Sequence, residues 1–298
     1  MPYYFYHPLK PQYFFPINYK DYPFLTSFYQ PYTLWGSLSW IIWNKFIWLR
    51  KFSELKDIEK YIPEKLIRKY IGYDAIIAFN RGTMGPEQKI TALVDKETDR
   101  YFLKFGQTQT TVDLIKNEAD ILHKLSGFQS APSLLGMWET KDYILIKTDL
   151  LEGKRFGQTV LSDKLTDFLI MLSDFKIDAY INYEGALKTG FSHGDFCPWN
   201  LMICNDIIKP YDWEMAGYYP LGYDIFTFVF QTNFLLFPQK TNEQILQANY
   251  EALEKFFQSK EITDWKPYLN AFAMLKVKNF QNTTSKLFKR YKILTLES

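Results

Sequence analysis

The stretch Phe191-Ser192-His193-Gly194-Asp195-Phe196-Cys197-Pro198-Trp199-Asn200 decides the reading of this chain. It sets a carboxylate, Asp195, five residues ahead of a side-chain amide, Asn200. A second carboxylate follows in Tyr211-Asp212-Trp213-Glu214. Phosphoryl transfer from a nucleotide needs such a set. One carboxylate orients an attacking hydroxyl and takes its proton, while an amide oxygen and another carboxylate hold Mg²⁺ against the phosphates. Asp, Asn five residues on, then a metal-binding Asp is the order of a phosphoryl-transfer catalytic loop. His-Gly-Asp alone occurs in many loops, and the bland alternative is a set of solvated loop acids with accidental spacing.

The residues between the acids support a shared site. Leu201-Met202-Ile203-Cys204 and Ile207-Ile208-Lys209-Pro210 flank Asn205-Asp206. The pattern predicts two short strands joined by a tight turn. Such a hairpin returns Asp212 close to Asn200, as one metal site requires.

With these motifs the chain resembles the aminoglycoside phosphotransferase and choline kinase family. The series His193-Gly194-Asp195-Phe196, Pro198-Trp199-Asn200, Asp212-Trp213-Glu214 and Asp224-Ile225-Phe226-Thr227-Phe228 is similar to the family's own. The nearest resemblance is to uncharacterised bacterial members linked with cell-surface polysaccharide genes. It covers about residues 73–231 and is weak at both ends. It implies an α+β, two-lobed protein-kinase-like fold, with a small antiparallel-sheet lobe and a larger, mainly helical lobe. It also implies ATP and Mg²⁺ as cofactors and a small-molecule hydroxyl acceptor. By the resemblance His193 is structural and packs beneath the metal-binding segment. Asp224 braces the catalytic loop through backbone N–H groups.

Upstream, Tyr73–Asn80 reads as a strand, broken by Gly82-Thr83-Met84-Gly85-Pro86. Residues 89–94 resume as a strand, Lys96-Glu97-Thr98-Asp99 is a polar turn, and Arg100–Phe105 is a third strand carrying Lys104. Strand, glycine loop, strand, turn and lysine-bearing strand is the order of a kinase small lobe. Gly82, Thr83 and Gly85 are the candidate phosphate cradle, because glycine lets backbone N–H groups approach an anion. A plain hairpin turn is the alternative, and Pro86 removes one donor. Alternation along Tyr101, Leu103 and Phe105 puts Lys104 on the other face, aimed at the α/β-phosphates or at solvent. Lys89 is the next candidate. Residues 112–125 have helical periodicity. Glu118 is the natural partner for Lys104, with Asp113 and Asp120 as competitors; the family's Asn-Glu pattern, here Asn117-Glu118, favours Glu118. Residues 143–153 read as a strand leaving the small lobe. By the resemblance, backbone groups of Lys147, Thr148 and Asp149 meet adenine. Residues 161–175 are an amphipathic helix expected under the catalytic loop. Glu214 either touches a second Mg²⁺ or ends a strand, and Phe196, Pro198 and Trp199 read as packing.

The whole chain fits this class. Its 298 residues are enough for two lobes, and 35 basic against 33 acidic residues leave a net charge of +2. That gives no electrostatic case for nucleic acid. Cys197 and Cys204 are the only cysteines, both in the presumed active-site hairpin. No disulfide scaffold is expected, and a reducing, cytoplasmic setting fits. The opening residues lack a basic region followed by an apolar core, so no secretory leader is expected. Asn282-Thr283-Thr284 is a formal glycosylation sequon.

Residues 1–72 form an aromatic-rich N-terminal segment, expected to pack on the body. Residues 73–150 form the nucleotide lobe, and 151–298 the catalytic and acceptor lobe. The first fifty residues hold 18 of the 56 aromatics, which argues against a disordered tail. An extended segment is expected there, then a helix from about Thr33 to Leu49. That helix either packs on the small lobe or rests weakly on a membrane surface, helped by Arg50, Lys51 and the basic residues Lys286, Lys289, Arg290 and Lys292. It is too short and interrupted for a span. After Asp224 the chain turns helical, with an apolar run over 225–236 and amphipathic helices over 241–257 and 264–277. Tyr218, Tyr219, Tyr223, Trp265 and Tyr268 form either a cage for a sugar or quaternary amine, or core. The acceptor is a sugar, a choline-like alcohol or another small molecule. The competing class is a non-catalytic kinase-like binding or assembly protein. The sequence leaves oligomeric state open.

Overall fold

The computed structural model describes residues 2–6, 11–29, 31, 34–96, 99–279 and 286–297. The sequon and part of the expected turn at 96–99 lie outside the described residues. The chain divides into two compact units: Met1–Ala119 with Ser133–Leu150, and Asp120–Pro132 with Leu151–Ser298.

The first unit is built on one eight-stranded sheet. Its strands are β1 (Tyr3–Tyr6), β2 (Tyr13–Pro16), β3 (Glu54–Leu55), β4 (Ile76–Asn80), β5 (Ile90–Lys96), β6 (Asp99–Gly106), β7 (Leu134–Glu139) and β8 (Ile144–Asp149), in the order β3-β1-β2-β4-β5-β6-β8-β7. Every pairing is antiparallel. The N-terminal aromatics therefore extend the sheet, through Phe14↔Phe79.

Alternation explains why so many aromatics are needed there. Side chains of a strand point to opposite faces in turn. Tyr3 and Phe14 join one core with Phe79, Leu103 and Phe105, covered by Ile67 and Ile71 of α3 (Glu64–Ile71). Tyr4, Tyr6 and Phe15 join a second core with Trp43 of α1 (Leu34–Lys45). The expected long helix is in fact two, because Phe46 is extended (φ −99°, ψ 104°) and α2 (Ile47–Phe52) restarts after it. A buried polar anchor ties the N-terminus down: the Tyr3 hydroxyl and Arg68 Nε both donate to Glu64 Oε1 at 2.7 Å. α4 (Gln109–Lys124) sets Ile115 and Ala119 on Ile144 and Ile146 of β8.

The second unit holds β9 (Lys154–Arg155), α5 (Asp163–Ser173), β10 (Thr189–Ser192), β11 (Leu201–Cys204), β12 (Ile207–Pro210) and β13 (Gly217–Pro220). β11 pairs with β12 and β9, and β10 with β13. Ser162 caps α5 by accepting the Leu165 N–H at 3.4 Å. Phe168 of α5 stacks on Phe196, with centroids 5.9 Å apart, so this helix lies under the catalytic loop.

The rest is helical: α6 (Tyr223–Phe226) and α7 (Thr232–Leu236) joined by a π-helical turn, Thr227–Gln231, then α8 (Asn242–Gln247), α9 (Tyr250–Gln258), α10 (Lys266–Asn279) and α11 (Lys286–Glu297). The single helix expected over 241–257 is broken at Asn249. That residue leaves the helical region (φ −123°, ψ 9°) while its side chain accepts the Leu161 N–H at 3.1 Å.

Candidate active site

The hairpin of β11 and β12 forms as its turn residues dictate. Asn205 and Asp206 both take positive φ, 50° and 65°, the left-handed pair that matches strand twist in a two-residue turn. Leu201 pairs with Pro210, and the Tyr211 N–H donates to the Asn200 carbonyl at 3.0 Å. Asp212 is thus the second residue past β12, which ends beside Asn200. It sits in the left-handed region (φ 69°, ψ 56°), a conformation that costs energy outside glycine and clusters at functional sites. The carboxylate oxygens of Asp212 and Glu214 lie within 4.8 Å of each other.

Asp195 is held from two sides. Asn200 Nδ2 donates to Asp195 Oδ2 and to its carbonyl, both at 2.9 Å. Gln231 Nε2 donates to Asp195 Oδ1 at 2.7 Å. The Asn200 amide therefore spends its N–H groups on Asp195 and keeps Oδ1 as a ligand atom. Gln231, which the sequence reading missed, projects from the π-helical turn, a feature frequent at functional sites. Its Oε1 accepts from Lys276 Nζ at 3.2 Å and from the Tyr291 hydroxyl at 3.3 Å. Lys276 is buried. Burial pulls its ammonium below the usual lysine range, and Asp195, Cys197 and Asp224 oppose that pull.

His193 is no base. Its Nδ1 accepts the Asp195 N–H at 3.3 Å, so its proton belongs on Nε2, which donates to the Tyr211 carbonyl at 3.0 Å. The ring joins the catalytic loop to the acidic segment. Gly194 makes the close approach possible: at φ +88° a Cβ there would lie 2.2 Å from the Met215 carbonyl oxygen. Asp224 accepts the His193 and Gly194 N–H groups at 2.6 and 2.9 Å. Phe196, Pro198 and Trp199 differ: the first two are buried, and Trp199 is partly exposed.

Asp224 makes a prediction. Burial pushes its carboxyl up to about 7, against the pull of the two N–H groups and Lys276. The folded state then binds more protons than the unfolded one between about pH 4 and 7. Stability from this group is greatest below that window and falls as pH rises through it, by at most about 1.4 kcal/mol per pH unit. Denaturant unfolding of wild type and Asp224→Asn across pH 4–8 should show this slope in the wild type only. Equal slopes would count against the shift.

The aromatic candidates resolve as core. Tyr219, Tyr223, Trp265 and Tyr268 are buried, and Tyr219 stacks on Tyr223 with centroids 4.0 Å apart. The Tyr218 hydroxyl donates to the Phe175 and Ile177 carbonyls. The cation over Tyr223 is the chain's own Lys276, with Nζ 5.0 Å from the ring centroid. Cys197 and Cys204 are free and buried, and burial pushes the Cys197 thiol up.

The remaining candidates lie in the first unit. Lys104 Nζ contacts both oxygens of Glu118, at 2.5 and 2.7 Å, with side chains 6% and 3% exposed. Asp113 instead accepts from Gln109 at 2.8 Å, and Asp120 falls in the other unit. Losing one partner of a buried ion pair costs about 3–5 kcal/mol. Lys104→Ala should therefore lower the unfolding free energy by that order, and adding Glu118→Leu should recover part of it. An unchanged melting curve for Lys104→Ala would refute the pairing.

Of the two loop glycines only Gly82 is required. It takes φ +73°, a Cβ would meet the Lys89 carbonyl oxygen at 2.6 Å, and Asn80 Oδ1 accepts its N–H at 2.8 Å. At Gly85 a Cβ meets nothing within 4 Å. Thr83 is exposed. Lys147 and Thr148 sit within the ladder, flanked by β6 and β7, and the Asp149 N–H donates to the Ser133 carbonyl at 3.0 Å. Sheet neighbours thus flank the backbone of Lys147 and Thr148, and the chain leaves the ladder after Asp149.

Residues 156–256 match the phosphotransferase enzyme family. The match covers about a third of the chain. The family segment holds the catalytic loop, the hairpin, Asp212 and Gln231, and its enzyme class, phosphotransferase, is the one expected from the loop. Among solved structures, amicoumacin kinase hAmiN in complex with AMP-PNP, Ca²⁺ and Ami is similar at 13% identity, over 82% of this chain and 96% of that one, with TM-score 0.53. Aminoglycoside phosphotransferase APH(3'')-Id from Streptomyces rimosus follows at 13% identity, 81% and 99% coverage and TM-score 0.49. A choline/ethanolamine kinase family protein from Mesorhizobium loti has 10% identity, 72% and 87% coverage and TM-score 0.40. No curated protein matches the chain. The first of these likenesses speaks to the fold, which is α+β and kinase-like.

Proposed function

We propose that this phosphotransferase moves the γ-phosphate of ATP to a hydroxyl of a small molecule, with Asp195 as the base. The observation that carries the reading is the two-sided grip on Asp195, by Gln231 at 2.7 Å and Asn200 at 2.9 Å. A carboxylate fixed in this way can align an acceptor hydroxyl and take its proton.

Asn200 Oδ1 and the Asp212 carboxylate are hard oxygen donors and suit Mg²⁺, with Glu214 beside Asp212 as a further oxygen source. When bound, the metal offsets the charge of the phosphates. Lys104, steadied by Glu118, is assigned to the α/β-phosphates, and the loop of Gly82, Thr83 and Gly85 to their cover. Adenine is assigned to backbone at the end of β8, at or just past Asp149. The acceptor is proposed to be a sugar or choline-like alcohol of cell-surface glycan metabolism, and the setting cytoplasmic.

The test is thermal unfolding of the full chain with ATP, with and without Mg²⁺. A metal-dependent rise in Tm is expected, since a ligand that binds only the folded state stabilises it. No shift under either condition would favour a non-catalytic kinase-like protein.

A further inference from the structure

The helix α1 is apolar on both faces, and among the described residues only one is covered. Inward, Trp43 is buried and stacks on Trp40 with centroids 5.2 Å apart, beside Tyr6 and Phe15. Outward, Leu34, Trp35, Leu38, Ile41 and Ile42 follow the i, i+4, i+7 spacing of one helix face, and all are exposed, Leu34 at 90% and Trp35 at 81%. Phe52, at the end of α2, is 84% exposed. A contiguous apolar face of this kind marks an interaction site, whereas scattered apolar residues do not.

Charge selects the occupant. Between Asp21 and Glu54 the chain has no acidic residue. Lys45, four residues after Ile41 on α1, and Lys51 on α2 are both exposed. Arg50 is not part of this set: it is buried, and its guanidinium donates to the Asn44 carbonyl and the Tyr19 hydroxyl. Nor is Arg290, which donates to the Pro238 and Lys240 carbonyls in the other unit. An apolar stripe with tryptophan, flanked by lysines and lacking acids, fits the headgroup–acyl boundary of an anionic bilayer. No helix among the described residues is long and apolar enough to cross a membrane.

We infer that the outward face of α1 rests on an anionic phospholipid surface, with Trp35 and Leu38 in the acyl boundary and Lys45 and Lys51 at the headgroups. This is independent of the catalytic reading, since it concerns where the protein sits and not what it transfers. The lysines add attraction that falls with salt.

The experiment is co-sedimentation of the full chain with equimolar phosphatidylcholine–phosphatidylglycerol vesicles and with pure phosphatidylcholine vesicles, at low and high salt. Wild type should pellet with the anionic vesicles and less with the neutral ones. Trp35→Glu with Leu38→Glu should lower the partition by at least about tenfold, given the burial free energy of such side chains. Lys45→Glu with Lys51→Glu should remove the salt-sensitive part. Both pairs replace exposed residues, and an unchanged Tm confirms that each variant folds. Wild type left in the supernatant, equal binding to neutral vesicles, or equal binding by the folded Trp35→Glu/Leu38→Glu variant would overturn the proposal. So would self-association in sedimentation velocity that this variant abolishes without any vesicle binding, which would assign the face to a second copy of the chain.

Discussion

Asp195→Asn should slow ATP consumption with a competent acceptor by about 10²–10⁴-fold, the usual cost of removing a general base. Nucleotide affinity should change little, because Asp195 is assigned to the acceptor side. The geometry also bounds the damage to the fold. Asn200 and Gln231 each donate one N–H to the carboxylate. An amide at 195 turns its own NH₂ against one of these donors, so one hydrogen bond is lost at a cost of about 1–3 kcal/mol. A modest fall in Tm with intact nucleotide binding is the expected background. The measurement is a screen of sugars, amino alcohols and aminoglycosides for ATP consumption by both proteins. Turnover that the variant matches would show that the activity does not use this carboxylate.

Asp212→Ala should abolish the Mg²⁺-dependent part of nucleotide stabilisation and of turnover. Asp212 stands in a left-handed conformation that alanine tolerates less well than aspartate does. Some loss of stability is therefore built into the substitution. Asp212→Asn separates the two effects, since Asn accepts the same backbone and keeps the shape but not the charge. The expected order of Mg²⁺ response is wild type, then Asp212→Asn, then Asp212→Ala. A folded Asp212→Ala protein with an undiminished metal response would remove Asp212 from the metal site.

The parts of the molecule that were legible are those where chemistry or geometry forces a residue into one place. The spacing of Asp195, Asn200 and Asp212 predicted a hairpin between the acids, and that hairpin forms, with Asn200 hydrogen-bonded to Asp195. Asn205-Asp206 announced its hairpin because few residues accept consecutive positive φ. Lys104 was reachable because strand alternation separates it from Leu103 and Phe105.

Other features left weaker traces. β1 and β2 carry aromatics to two cores at once, so they show no polar–apolar alternation. The two readings of α1, packed or membrane-facing, divide by face: the inner face packs, and the exposed outer face is the one inferred to meet a membrane. Gln231 and Lys276 reach Asp195 only through tertiary folding, with Gln231 36 residues downstream. The one hint for Gln231 was an amide inside the apolar run over 225–236. The cage of aromatics could not be resolved either, because a core and a binding pocket use the same rings.

The lysine over Tyr223 bears on how enzymes of this shape change substrates. Lys276 comes from α10, within the segment expected to be the catalytic and acceptor lobe, and through Gln231 it leans on the carboxylate proposed to do the chemistry. On the proposed reading, one helix of the acceptor lobe therefore also supports the base. Grafting another acceptor region onto this body would also remove a counter-ion from beneath its reactive centre. Such a chimera would fail through charge imbalance before its pocket was ever tried, unless the graft carried a cation at the position of Lys276.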